Sequence, residues 1–168
     1  MKRMLTVFAV ICLIPALFGC GLIGNDAEDK ALFYYSRLEY AYGSAESIIV
    51  AEQRDITGHA HDLKYLLSLY LMGPLDEELT SLFPGTTRIA STVLDENILT
   101  IELIAADKDM TESQFSLACA CMSMTCLELT NAETVTIVSG ERSITLSADD
   151  LLLFDDPIPT ETLSEETK

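Results

Sequence analysis

Cysteine, histidine and paired carboxylates are the residue types in this chain with chemistry to offer, and their spacing limits what they can do. Cys119, Cys121 and Cys126 fall in one stretch of helical pattern. At 3.6 residues per turn, Cys119 and Cys126 share a seam with Phe115, Met122 and Leu129, while Cys121 points well away. Such thiols do not converge on one metal ion, and no Cys-x-x-Cys pair accompanies them. Partners seven residues apart on a helix also exceed the roughly 4.4–6.8 Å that a disulfide tolerates between Cα atoms. These cysteines are expected to act as small buried hydrophobes. His59-Ala60-His61-Asp62 offers an incomplete metal shell, and Asp62 is better read as a helix start. Asp107 and Asp109 flank Lys108 in a predicted loop, where solvated acids are ordinary. No nucleophile elbow, phosphate-binding glycine loop or His-Glu-x-x-His is present. The expectation is a non-enzyme with no catalytic residue, cofactor or metal.

Cys20 is different. Lys2 and Arg3 precede residues 4–18, which carry no charge, and the run closes on Leu17-Phe18-Gly19-Cys20. A basic flank and a short apolar run ending in a small residue describe a secretory leader. A thiol directly after Leu-x-Gly resembles the lipidation box of bacterial lipoproteins. There the sulfur takes a diacylglyceryl group, and cleavage before it leaves the acylated Cys as the new N-terminus. Two or three acyl chains anchor firmly, because each buried CH2 contributes about 0.8 kcal/mol. The competing readings are a retained membrane-spanning leader and ordinary secretory cleavage. Pro15, Gly19, Gly21 and Gly24 interrupt the far end of a spanning helix.

The chain has 168 residues, with 27 Asp and Glu against 10 Lys and Arg. A nucleic-acid binder needs clustered cations, so that class is excluded. Removing residues 1–19 takes away Lys2 and Arg3 and leaves 27 acids against 8 bases, a net charge of −19. This charge repels an anionic membrane surface, so attachment rests on the lipid. Asn25-Asp26-Ala27-Glu28-Asp29-Lys30 reads as a solvated tether. A hydrophobic fraction of 49% is ample for one core.

The elements follow from periodicity. Ala31 to Tyr35 and Ser47 to Ala51 are β-prone runs, read as a hairpin turning at Tyr42-Gly43-Ser44. Leu63, Leu66, Leu67 and Tyr70 form a helical stripe that starts at Asp62 and ends at Gly73-Pro74. A short helical turn is expected from Glu77 to Leu82. Arg88 to Leu94 and Ile98 to Ile104 make a hairpin through Asp95-Glu96-Asn97. Thr111 and Gln114 have capping-box spacing at the head of a second helix running to about Leu129, with Asn131 as a left-handed cap. Val135 to Ile137 and Ser143 to Ser147 pair through Gly140-Glu141. Leu151 to Phe154 is expected to dock on the domain, and 155–168 forms an acidic tail. The order ββ-α-ββ-α-ββ predicts an α+β two-layer sandwich, an antiparallel or mixed sheet with two main helices on one face. The expected divisions are 1–19 leader, 20–30 anchor and tether, 31–147 domain and 148–168 tail.

Two helix surfaces stand out. Residues 115–127 carry no charge, and Leu117 and Met124 lie opposite the Phe115-Met122 stripe. On the first helix Tyr65, Leu69 and Met72 lie off the main stripe. A helix apolar all round needs cover on both sides. Mutual packing of the helices under the tail would supply it; so would a protein partner.

Some of these motifs form a recognisable succession. Leu66-Leu67 through Gly73-Pro74 is followed by Ser81-Leu82-Phe83-Pro84-Gly85-Thr86 and the paired strands through Leu103. Met124-Thr125-Cys126-Leu127-Glu128-Leu129 and Val135-Thr136-Ile137 complete it. Over residues 60–147 the chain resembles the GerMN domain of bacterial spore-germination and sporulation proteins. The resemblance implies an α+β fold similar to ring-building modules of envelope complexes, often carried on lipoproteins. It departs at the hairpin, where Asp95-Glu96-Asn97 replaces the usual Asp-Gly, and in having one domain rather than a tandem pair.

The sequence therefore predicts a protein held to the outer face of the cell membrane by lipid on Cys20. Its expected work is non-catalytic contact with an envelope protein or a second copy, with Tyr65, Leu69, Met72, Leu117 and Met124 as candidate interface residues. The alternative is a lipoprotein that captures a solute or cell-wall fragment.

Overall fold

The structure is a computed structural model that describes residues 30–39 and 47–151. Its strands fall into two sheets rather than one. In the first, β1 (Lys30–Arg37) lies between β2 (Ile49–Asp55) and the short β3 (Leu79–Thr80). In the second, β4 (Arg88–Asp95), β5 (Ile98–Ile104), β6 (Thr134–Ser139) and β7 (Arg142–Ser147) are neighbours in chain order. The helices are α1 (Leu63–Leu71) and α2 (Glu112–Leu129). The class is α+β.

The first sheet ends where the second edge of β1 runs out of strand partners. β2 pairs with β1 along one edge, but β3 reaches the other edge only at Ser36 and Arg37. Beyond that point α2 lies beside the open edge, and the Tyr34 amide donates to the Thr125 hydroxyl at 2.9 Å. A side-chain hydroxyl takes the place of a ladder partner, satisfying a backbone group that burial would otherwise penalise. The second sheet is mixed: β4–β5 and β6–β7 are antiparallel hairpins, and β5 pairs with β6 in parallel. A parallel pair needs a long crossover, and α2 provides it.

α2 packs against β6 and β7 on one side and β1 on the other. That arrangement buries Phe115, Cys119, Met122 and Cys126, and Cys121 with Ser123 and Thr125 as well. Much of the second cover on α2 comes from β1, where mutual packing of the helices was expected; the expected cover by the run after Leu151 lies outside the described residues. α1 lies on the face of the first sheet formed by Phe33 and Tyr35. The Tyr70 ring stacks on Tyr35 at 4.9 Å between centroids and meets Phe33 at 6.4 Å. The Tyr35 hydroxyl donates to the Tyr70 carbonyl. One apolar core joins both sheets, from Phe33 through Leu67, Ile101 and Met122 to Ile137.

Three local readings change. Residues 77–82 hold no helical turn, since the Asp76 carboxylate accepts from the Glu78 amide and bends the chain into β3. Leu79 is buried there beside β1. Asn131 is not in the left-handed region. Instead Thr130 is extended (φ −137°, ψ 171°), and its hydroxyl donates to the Cys126 carbonyl while accepting from the Ala132 amide. In the β4–β5 hairpin the loop is Glu96-Asn97, and Glu96 takes the positive φ of 50°. The helix starts stand as expected: Asp62 accepts from the Tyr65 amide, and Thr111 with Gln114 forms a full capping box. The turn at 42–44, the leader and tether before residue 30, and the run 152–154 lie outside the described residues.

Candidate interaction surface

α1 sorts its side chains by angle. Leu66, Leu67 and Tyr70 are buried against the core, whereas Tyr65 and Met72 stand in solvent, Met72 at 83% exposure. Leu69 is half-buried on the edge of the core. Leu117 and Met124 of α2 are half-buried. Of the expected interface residues, then, the structure exposes Tyr65 and Met72 and partly covers the other three. Cys20 lies outside the described residues.

The chain beyond α1 adds apolar groups that periodicity did not single out. Gly73 takes φ 95° and ends the helix, with its amide donating to the Tyr70 carbonyl. Leu75 follows, 78% exposed, and Leu38 at the end of β1 is 63% exposed. Leu38 is tied to this turn because its amide donates to the Glu78 carbonyl at 2.8 Å. A depression lined by Arg37, Leu38, Glu39, Glu77 and Glu78 opens at the same end of the first sheet.

A buried ion pair fixes the backbone of that turn. Glu52 and Arg54 are two residues apart on β2 and share the face that carries Phe33 and Tyr35. They pair with each other, and both side chains are nearly buried. The Arg54 guanidinium also donates to the Gly73 carbonyl and lies 5.8 Å and 6.0 Å from the Phe33 and Tyr35 ring centres. The second Glu52 oxygen accepts from the Leu75 and Asp76 amides, each at 2.8 Å. Every partner of this ion pair is a backbone group of the turn or an aromatic face. These hydrogen bonds hold the backbone from Gly73 to Asp76 in place. Alternation on β2 is the signal that would have placed Glu52 and Arg54 side by side; their burial came from the turn folding over them.

The other chemistry-bearing residues have structural duties. His59 stacks on Tyr65 with centroids 3.8 Å apart, and Asp62 is occupied as the cap of α1. Asp107 accepts from the buried Ser139 hydroxyl at 2.8 Å, and a β-carbon added to Gly140 (φ 58°) would come within 3.3 Å of the Asp107 carboxylate. Burial pushes the Cys119 and Cys121 thiols up to about 12 and raises Cys126 further still. Desolvated thiols of this kind are poor nucleophiles. Burial likewise holds the Tyr70 phenol far above its ordinary value. Among the described residues, no group of three or more His, Cys, Asp or Glu is placed to hold a metal ion.

No family model matches the sequence, and no curated protein does. Among solved structures, the fold is similar to that of a lipoprotein candidate from Clostridium perfringens. The two are 17% identical, with 72% of this chain and 88% of that one covered and a TM-score of 0.46. It is also similar to the tandem GerMN domains of the sporulation protein GerM from Bacillus subtilis. Identity there is 15%, 73% of this chain is covered, and the TM-score is 0.49. This chain spans 43% of that tandem chain.

Proposed function

We propose that this chain is a lipid-anchored protein of the outer membrane face that works by non-catalytic contact with another envelope protein. The observation that carries the reading is the apolar ridge on the solvent side of α1 and its following turn. Tyr65, Met72 and Leu75 are exposed there on backbone that hydrogen bonds hold in place. Exposed apolar groups on a fixed backbone suit association, because little conformational freedom remains to be lost on contact. Leu69, Leu117 and Met124 extend the proposed surface as its partly covered margins.

The anchor rests on Leu17-Phe18-Gly19-Cys20 after an uncharged run. Among the described residues, no helix is long and apolar enough to cross a membrane. The motif succession over residues 60–147 supports a setting in sporulation or spore germination. The anchor is tested by the intact mass of the chain extracted from membranes. The expected mass lacks residues 1–19 and carries acyl groups on Cys20; an unmodified Cys20 overturns the proposed anchor.

A further inference from the structure

We infer that the partner of this surface is a cationic, apolar-centred protein segment, a deeper statement that rests on the contact function proposed above. Met72, Leu75 and Leu38 are the protruding apolar groups; the Leu38 amide donates to the Glu78 carbonyl beyond the end of β1, and the Leu75 amide donates to Glu52, which pairs with Phe33 midway along β1. Asp76, Glu77 and Glu78 follow Leu75 directly, and all three are exposed. Leu75 thus adjoins three carboxylates in sequence, and Glu77 and Glu78 line the depression that also holds Leu38, Glu39 and Arg37. At physiological salt, charges are felt over about 8 Å, so any occupant meets those carboxylates.

Those carboxylates select among occupants. A second copy would bring its own Asp76, Glu77 and Glu78 against this set, with a formal charge of −17 on each full-length chain. An anionic lipid surface is repelled for the same reason. A partner with Lys or Arg spaced around Leu, Phe or similar groups meets both requirements. The apolar centre supplies affinity, and the charges supply orientation and encounter rate.

The test uses the lipidated chain in zwitterionic nanodiscs, titrated with a synthetic helical peptide of Leu and Lys, with empty nanodiscs as reference. The Met72 methyl resonance is expected to shift on binding. Affinity is expected to fall about tenfold for Met72→Ser with Leu75→Ser, as for loss of a contact centre. A loss of similar size is expected for Glu77→Gln with Glu78→Gln. Glu96→Gln with Glu133→Gln removes equal charge elsewhere and is expected to change affinity less than about twofold. Urea unfolding of each variant checks that it is folded. Equal losses in all three pairs, or no loss at the ridge, overturns the inference. So does self-association of the chain through Met72 and Leu75, or its binding to anionic vesicles by the same residues. If crosslinks from Ile98 in native membranes capture a partner while the ridge variants bind normally, the contact function stands and this assignment of its surface falls.

Discussion

Arg54 and Glu52 show how much one pair of side chains can govern. Each is nearly buried, and each spends its remaining hydrogen-bonding capacity on the turn after α1. Removing one partner strands the other charge, so Arg54→Met is expected to cost about 3–5 kcal/mol in urea unfolding. Arg54→Met with Glu52→Leu is expected to cost less than the sum of the single changes, since neither charge is then left alone. The thiols make a second point at this scale. Cys119 and Cys121 hold their protons up to about 12 in the fold, against 9.0 when exposed. Between those values the native state binds more protons than the unfolded chain, so stability declines as pH rises through that window. The urea midpoint is expected to be lower at pH 10 than at pH 7. In the native state at pH 8, peptide mapping after iodoacetamide treatment is expected to find Cys119, Cys121 and Cys126 unmodified.

Elements were legible where one local signal decided them. Asp62 and the Leu66-Leu67-Tyr70 stripe define α1, and Thr111 with Gln114 defines the start of α2. Thr111→Ala is expected to cost about 1 kcal/mol in thermal or urea unfolding, because it removes the cap from α2. Elements decided by distant partners were not legible. β3 exists because Leu79 and Thr80 find the edge of β1 more than forty positions earlier, which no pattern within 77–82 reveals. The split into two sheets depends on Thr125 meeting Tyr34 across 91 positions. The hairpin loop was expected at Asp95-Glu96-Asn97, but tolerance of Asp and Asn for unusual angles does not explain it. The burden falls on Glu96, at φ 50°. A β-carbon in that region is unfavourable by roughly 1–2 kcal/mol, so Glu96→Gly is expected to raise stability by about 1 kcal/mol. At the candidate surface, Tyr65 and Met72 were readable from helical spacing, whereas Leu75 and Leu38 required the turn and strand end to be seen together.

At the scale of the molecule, charge and anchor work as a pair. In the proposed function, an acidic body is repelled by an anionic bilayer, and Cys20 is the proposed point of attachment. Cys20→Ala is accordingly expected to move the chain from the membrane fraction to the soluble or secreted one. The described residues share a single core that uses α2 twice, once against each sheet, and Leu38 after β1 and Leu75 in the turn after α1 are left exposed. The most direct measurement is photo-crosslinking in intact membranes from a probe at position 72 of the anchored chain. A discrete adduct with another envelope protein is the expected result, absent when the probe is moved to Glu133. A chain that carries its lipid and forms no adduct from position 72 would contradict the account.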